Sequence, residues 1–353
     1  MGKNPSFSVI ILKWYDHHKR DLPWRETKDP YAIWLSEIIL QQTRIQQGMA
    51  YYLRFIEVYP TVNDFAIATE DEILKQWQGL GYYSRARNMH QTAKIIVKKF
   101  NSKFPADLKI LLKLKGIGDY TAAAIASIAF DLPHATVDGN VFRVLSRIYG
   151  IGTPIDTGQG KKDFYSLANE LLDQQQPGEF NQALMEFGAL QCTPKNPDCP
   201  NCPVKSICVA HANDAVHSFP VKKGETKIRK RYFNYLVIQE EAYTFLTKRS
   251  ENDIWKNLYE FPLIESIEKM DAFQIFQKEQ SYFSAETNIQ IEGESKWQKQ
   301  VLTHQHIFYR FIYLKIEDKK NIPSSLIKVN KKDIFNFAVP KPIEKELETN
   351  NWF

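Results

Sequence analysis

Cys192-Thr193-Pro194-Lys195-Asn196-Pro197-Asp198-Cys199-Pro200-Asn201-Cys202-Pro203-Val204-Lys205-Ser206-Ile207-Cys208 holds all 4 cysteines of the chain, separated by 6, 2 and 5 residues. Four soft ligands gathered in 17 residues indicate a metal site rather than two disulfides, since the chain carries no mark of export. Structural zinc usually takes two separated Cys-x2-Cys knuckles. Here only Cys199 and Cys202 form one, and the wider outer spacings suit a larger 4Fe-4S cubane. The spacing favours the cluster and leaves zinc as the alternative.

Outward from this loop, 353 residues exceed the roughly 250 to 300 that one core organises, so two or three domains are expected. With 43% hydrophobic, 13% aromatic and 25% charged residues, the composition is that of a folded globular chain and excludes collagenous or low-complexity architecture. The longest nearly apolar run, Ala122 to Phe130, is far short of the ~20 residues of a membrane span. Val9 to Leu12 is too short for a signal-peptide core, which makes a cytoplasmic, thiol-reducing compartment the expectation. Met1-Gly2-Lys3-Asn4-Pro5-Ser6 fits the myristoylation pattern formally, but so short a pattern recurs by chance.

Before the cysteines the periodicity is helical. Val141, Val144, Leu145 and Ile148 recur at one-face spacing, and Ile95, Ile96, Lys99 and Phe100 form a second stripe ending near Asn101. After them, Tyr232 to Gln239, Tyr243 to Arg249 and Ile307 to Ile316 are β-branched and aromatic runs, predicting a smaller α+β domain. Between the two, Lys222, Lys223, Lys227, Arg229, Lys230 and Arg231 face only Glu225. The segment reads as a solvated interdomain linker or as a phosphate contact. A net charge of +5 permits a polyanionic partner without demanding one.

Leu114-Lys115-Gly116-Ile117-Gly118 precedes a helix-forming stretch, Tyr120 to Phe130. Two glycines around one apolar residue allow φ > 0 and expose N–H groups at a helix start, a phosphate cradle or an ordinary turn. Twenty residues after Gly118, Asp138-Gly139-Asn140-Val141 opens another helix. Asp138 reads as its N-cap, and a carboxylate held by helix-end dipoles stays ionised and can stabilise a cationic sugar.

The cysteine spacing behind a helical domain, the glycine hairpin and Asp138 together resemble the endonuclease III superfamily of DNA glycosylases. The resemblance implies an all-α helix-hairpin-helix domain over residues 1–211, with a six-helix module at about 30–130. The N-terminal segment and residues 131–211 then form the cluster module, residues 212–230 a basic linker and residues 231–353 a second domain. In that family Cys192, Cys199, Cys202 and Cys208 would hold a 4Fe-4S cluster that shapes a DNA-binding loop, bringing Lys195 and Lys205 near the backbone. Bifunctional members carry a lysine nucleophile where Tyr120 stands, and tyrosine cannot form a Schiff base. Base removal without strand cleavage follows.

Trp34-Leu35-Ser36-Glu37-Ile38-Ile39-Leu40-Gln41-Gln42-Thr43 is similar nearly residue for residue to the MutY-type adenine DNA glycosylases, and Asp138-Gly139-Asn140 is like their version of the aspartate motif. Glu37, flanked on a helix by Ile33, Trp34, Leu40 and Gln41, should have a raised pKa and act as a general acid toward adenine N7. A glutamate turned to solvent or paired with Arg44 is the plain alternative. The resemblance also implies that Tyr120 and Asn140 belong to the catalytic set and that Trp24, Arg25 and Gln182 wall the pocket for an extruded adenine. Gln42, Thr43, Leu80 and Tyr82 would join Gly116 and Gly118 in touching DNA, Gln42 and Tyr82 as wedges. Read without the family, Trp24 and Tyr82 are core residues and Gln42 an exposed helix position.

Trp255-Lys256-Asn257-Leu258-Tyr259-Glu260-Phe261-Pro262 is similar to the lead into a Nudix fold, but no Arg-Glu-x-x-Glu-Glu magnesium box follows. MutY-type enzymes carry such an inactive Nudix-like domain for reading 8-oxoguanine. Their Phe-Ser-His loop matches best at Leu302-Thr303-His304, with His306 as a shifted alternative. The function implied is excision of adenine from adenine:8-oxoguanine and adenine:guanine mispairs in double-stranded DNA, by a cytoplasmic monomer, nucleoid-associated if bacterial, with no membrane partner. A bifunctional glycosylase/lyase and a non-catalytic iron-sulfur DNA-binding regulator are the rivals. The first conflicts with Tyr120, and the second has no need of Glu37 together with Asp138.

Overall fold

The computed structural model describes residues 6–224, 228–250, 253–278, 289–316 and 322–350. Met1 to Pro5 of the myristoylation pattern, and Glu225 and Lys227 of the basic segment, lie outside them. The described helices are α1 (Phe7–His18), α2 (Pro30–Ile39), α3 (Ile45–Val58), α4 (Val62–Ile67), α5 (Glu70–Trp77), α6 (Ser84–Phe100), α7 (Leu108–Leu111), α8 (Asp119–Phe130), α9 (Gly139–Tyr149), α10 (Gly158–Leu171), α11 (Pro177–Leu190), α12 (Val209–Ala212), α13 (Ala272–Lys278) and α14 (Lys341–Thr349). The strands are β1 (Arg229–Glu240), β2 (Tyr243–Lys248), β3 (Tyr259–Glu260), β4 (Leu263–Ser266), β5 (Ile289–Glu294), β6 (Gln298–Val301), β7 (Gln305–Ile316) and β8 (Ile327–Asn330). No helix among the described residues is long and apolar enough to cross a membrane.

The chain forms two compact units: Met1–Ile67 with Asn88–Gly224, and Ala68–Arg87 with Glu225–Phe353. The first is helical. α8 is its central helix because Thr121 to Ile128 are small or apolar on every side and all buried, the composition of a helix surrounded by others. α9 does the opposite. Its stripe of Val141, Val144, Leu145 and Ile148 is buried with Trp14, Phe164, Phe180 and Phe187 from α1, α10 and α11, and the side chains of Cys192, Cys202 and Cys208 pack against that core. Asp138 caps α9 by accepting from Val141 N at 2.8 Å. Gly150 ends it at φ +66°, where an added Cβ would lie 2.7 Å from Val209 Cγ1.

The predicted hairpin lies between α7 and α8. Gly116 takes φ +79°, but Gly118 is extended, at φ −94° and ψ −178°, as the N-cap of α8. Only the first glycine therefore uses the freedom expected of both.

The second unit is built on a mixed sheet whose described strands run β3-β2-β1-β7-β5, with β4 on β1, β6 on β7 and β8 on β2. β1 and β7 pair in parallel, with Asn234 opposite Arg310, and the other pairs are antiparallel. The period-2 alternation of β1 makes two cores. Phe233, Tyr235 and Val237 are buried with Ile343 and Leu347 of α14, and Leu236 and Ile238 with Ala272 and Ile275 of α13. α5 and the turn after it belong to this unit. Asp71 accepts from Lys248 Nζ at 2.6 Å and from the Tyr259 hydroxyl at 2.8 Å, Gln78 donates to Glu344 at 3.0 Å, and Arg87 donates to the Lys256 carbonyl at 2.8 Å.

The segment read as a solvated linker is bonded to the first unit through Gly224's neighbours. Ile155 N donates to Val221 O at 3.0 Å, and Lys223 N to Asp156 Oδ1 at 2.9 Å. Arg231 also departs from the phosphate-contact reading. It is 5% exposed and donates to Glu265 at 2.7 Å and Asp253 at 2.9 Å, because its place in β1 turns it against acidic neighbours in the same domain.

Candidate active site and cysteine loop

A cleft of about 480 Å³ in the first unit is lined by Trp24, Arg25, Glu37, Gln42, Thr43, Tyr120, Asp138, Asn140 and Gln182. Five segments far apart in sequence supply them. Trp24 and Arg25 lie on a 3-10 turn after α1, which Pro23 starts. Its ring both packs and lines the cleft, since Trp24 is buried edge-on to Tyr52 with centroids 5.2 Å apart. Glu37 projects from α2, whose start is fixed by Pro30 and by the Asp29 side chain accepting from Tyr31 N at 3.1 Å.

Glu37 has a partner that sequence reasoning missed. The Tyr120 hydroxyl at the start of α8 donates to Glu37 Oε2 at 2.6 Å and lies 3.1 Å from Met185 Sδ. Arg44 is not part of this contact. Burial pushes the Glu37 carboxyl up to about 7; the Asp138 charge adds to this, and the Tyr120 bond and the Arg25 cation oppose it. A carboxyl in that range is protonated in a substantial fraction near neutrality. Burial likewise drives the Tyr120 hydroxyl well above its ordinary value, so it remains a donor.

Asp138 accepts from Val141 N at 2.8 Å and from Asn140 Nδ2 at 2.8 Å. The bonds that cap α9 do not by themselves set the acidity of this carboxyl. Burial raises it and outweighs the bonds from Val141 and Asn140 and the Arg143 charge. Arg143, also missed in the sequence, holds Asn140 in place: its Nη2 donates to Asn140 Oδ1 at 2.8 Å and to Gly188 O at 2.7 Å, and its Nε to Cys192 O at 2.7 Å.

Gln182, on α11, is 9% exposed, and its amide meets no hydrogen-bond partner among the described residues. Such an amide, facing a cleft, is a ready donor and acceptor for a ligand. Gln42 is not on a helix. It sits in the turn between α2 and α3 at φ 56°, exposed. Tyr82 is not a core residue either: it lies at φ 48° and is 47% exposed.

Leu80, Tyr82, Leu302, Thr303 and His304 all fall in the second unit. Leu302 packs against the core that holds Phe233 and Tyr309, and Leu302 N donates to Gln305 O at 2.8 Å to close the β6–β7 turn. Thr303 and His304 are exposed at its tip, and Leu80 is buried. The Thr303 hydroxyl and the Tyr82 hydroxyl are hydrogen-bonded to each other.

The four cysteines line a single pocket, with Arg147, Ile148, Phe187 and Val204 among its other walls. Arg147 ties the loop down. Its guanidinium donates to Thr193 O at 2.8 Å and Val216 O at 3.0 Å and lies 3.4 Å from Cys192 Sγ. No set of three or more His, Cys, Asp or Glu side chains among the described residues is arranged for a single metal ion. Burial pushes the thiols of Cys192, Cys199 and Cys202 up, Cys202 to about 11, so on their own they are not reactive thiolates.

Residues 35–170 match the family model for the HhH-GPD superfamily base excision DNA repair protein, and residues 234–349 match that for a NUDIX domain. The adenine DNA glycosylase of Buchnera aphidicola subsp. Schizaphis graminum (strain Sg) is 34% identical over 97% of this chain and 98% of its own length. That of Rattus norvegicus is 44% identical over 73% of this chain and 60% of its own. The solved structure of a thermostable thymine-DNA glycosylase aligns with a TM-score of 0.55 at 31% identity, covering 59% of this chain and 95% of that one. Similarity of this order, sustained through the helical and the Nudix-like domains, places the chain in the adenine DNA glycosylase family of the HhH-GPD superfamily.

Proposed function

We propose that the protein removes adenine mispaired with 8-oxoguanine, and with guanine, from double-stranded DNA by hydrolysing the N-glycosidic bond, without cleaving the strand. The observation that carries this reading is the Glu37 carboxyl, held by the Tyr120 hydroxyl at 2.6 Å in the cleft that Asp138 also lines. Adenine leaves poorly as an anion. A proton delivered from Glu37 to N7 makes it a neutral leaving group, while the Asp138 carboxylate offsets the positive charge that develops on the sugar. Trp24, Arg25 and Gln182 offer a ring, a cation and a free amide to a base swung out of the stack. With Tyr120 in place of an amine, that position forms no Schiff base with the opened sugar. The test is to incubate the purified protein with duplexes that differ in one base pair. Alkali-labile sites should appear opposite 8-oxoguanine and guanine only, with no borohydride-trapped protein–DNA adduct. Efficient trapping, or indifference to the opposite base, would overturn the reading.

The cysteine pocket fits a 4Fe-4S group by its donor set, four thiols on one pocket that Ile148, Phe187 and Val204 also line. Cys192, Cys199, Cys202 and Cys208 would hold the group, whose contribution is to fold the loop rather than to act on the base. Purified protein should be yellow-brown, with iron and acid-labile sulfide in equal amounts. Cys199→Ser should lower the yield of folded protein. A colourless protein with one zinc per chain would replace the cluster with the alternative.

Lesion reading rests on the exposed β6–β7 tip. 8-Oxoguanine differs from guanine by a carbonyl and an N–H on its imidazole edge. A hydroxyl fixed by Tyr82, as that of Thr303 is, can accept from that N–H. One such bond is worth about 0.5 to 1.5 kcal/mol, up to roughly tenfold in rate ratio. Thr303→Ala should therefore lower the 8-oxoguanine to guanine preference by up to about tenfold while leaving release opposite guanine intact. An unchanged ratio would remove Thr303 from this role.

A further inference from the structure

Glu186 lies on α11 one turn beyond Gln182, as a lone charge in the run Ala183 to Phe187. It is 1% exposed, yet it accepts five N–H bonds. Three come from Arg20, from its backbone N at 3.0 Å, Nε at 2.8 Å and Nη2 at 2.5 Å. Two come from Arg25, from Nη1 at 3.1 Å and Nη2 at 2.8 Å. A carboxylate has about four lone-pair sites, so Glu186 has nothing left to offer a substrate. Burial alone would raise its pKa, but the Arg20 and Arg25 bonds win and hold it at about 2.

Arg25 is fixed on more than one side. Its Nη1 also donates to the Arg20 carbonyl at 3.0 Å, and its guanidinium sits 5.4 Å from the centre of the Tyr15 ring. These bonds use one edge of a planar fork of five N–H groups. The Nε–H and the second Nη2–H meet no partner among the described residues, and Arg25 lines the cleft. Two cations on one carboxylate also leave the assembly net positive beside the acid.

We propose that Glu186 is a positioning residue for base release and base choice, locking Arg25 so that its two free donors meet a ring acceptor of the extruded base. This rests on the reading of the cleft as an adenine pocket. A donor pair held rigidly favours a base with an acceptor ring nitrogen, as adenine has at N1, and disfavours guanine, which carries a hydrogen there. A side chain free to rotate would lose that selectivity and the orientation of the base against Glu37. Loss of the Glu186 charge would also leave Arg20 and Arg25 uncompensated. The groups that act on Glu37 are Tyr120 from α8, Asp138 from the start of α9 and Arg25. Among these only Arg25 is tied to Glu186, so a stronger net positive field should lower the pH at which Glu37 gives up its proton.

The test measures single-turnover adenine release against pH for the unmodified protein, Glu186→Gln, Glu186→Asp, Arg25→Met and the double variant Glu186→Gln with Arg25→Met, alongside thermal melts and duplex affinity. Glu186→Gln should slow release by about 10- to 100-fold, keep duplex affinity and move the alkaline fall of the profile to lower pH. Glu186→Asp should recover part of the rate. In the Arg25→Met background the second substitution should cost little more. Additive losses, or a slower rate with an unmoved pH profile, would overturn the proposal. Should Glu186→Gln not fold, the charge-keeping Glu186→Asp decides: it must lower the rate at an unchanged melting temperature, and a full rate overturns. If the unmodified protein releases no adenine, the functional reading fails by itself. The Glu37 carboxyl titration followed by NMR in the unmodified and Glu186→Gln proteins then judges Glu186, a downward shift supporting its control of the Arg25 charge and no shift overturning it.

Discussion

Glu37→Gln is expected to bind a mismatched duplex as the unmodified protein does and to release adenine roughly 10²- to 10⁴-fold more slowly, the span that a lost general acid produces. The amide is isosteric and can still accept from the Tyr120 hydroxyl, so the 2.6 Å contact and the fold should survive. What disappears is the proton. Burial lifts the Glu37 carboxyl from 4.5 to about 7, so the acid form prevails below that pH and is lost above it. Release by the unmodified protein should therefore fall about tenfold per pH unit well above about 7. In Glu37→Gln that alkaline fall should vanish along with most of the rate. Rapid-quench rates across about pH 5 to 10 give the check. A variant that keeps both its rate and its alkaline limb would show that the proton comes from elsewhere.

Asp138→Asn should cost about 10²- to 10³-fold in release, comparable to removing one preorganised electrostatic partner of a developing charge. The substitution is chosen because asparagine caps helices about as well as aspartate. Its side-chain oxygen can take over the bond from Val141 N that Asp138 accepts at 2.8 Å, and melting should change little. Asp138→Ala would lose the cap, typically about 1 kcal/mol, and confuse stability with chemistry. Because burial raises the Asp138 carboxyl, its ionised form is lost as pH falls through that raised value, and the unmodified enzyme should show an acid-side fall that Asp138→Asn lacks. Rates and melting curves measured together decide. A loss of rate that tracks a loss of stability would reduce Asp138 to a cap.

Local signals carried a long way. The α9 stripe and the Asp138 cap involve residues within one or two turns of each other, and each lies where periodicity or capping put it. The alternation of β1 likewise separates its two cores. Pairings across long sequence gaps left no such mark. Tyr120 entered the catalytic set only through the resemblance, and its bond to Glu37 left no mark in the sequence because the two stand 83 residues apart. Glu186 differed from its neighbours only in being charged amid apolar residues, a sign that a buried partner must exist but not which one. Arg231 shows the reverse error. Counted among a basic run it resembles a phosphate reader, whereas the sheet hands it Glu265 and Asp253. Gln42 and Tyr82 lie at positive φ, which neither residue type advertises.

The interleaving of the two units imposes an order on synthesis. Ala68–Arg87 belongs with the domain that starts beyond Gly224, so this segment leaves the ribosome well before Lys248, Lys256, Thr303 and Glu344, to which it bonds. About 140 residues separate Arg87 from β1, a wait of roughly 10 to 30 s at 5 to 20 residues per second. Through that interval Asp71, Gln78, Tyr82 and Arg87 lack those partners, even once the helical unit has its last residue. A polypeptide cut near Gly224 stays in that condition for good, with the Tyr82 turn deprived of the threonine that fixes it. The C-terminal domain is thus the delayed completion of a surface begun early in the chain.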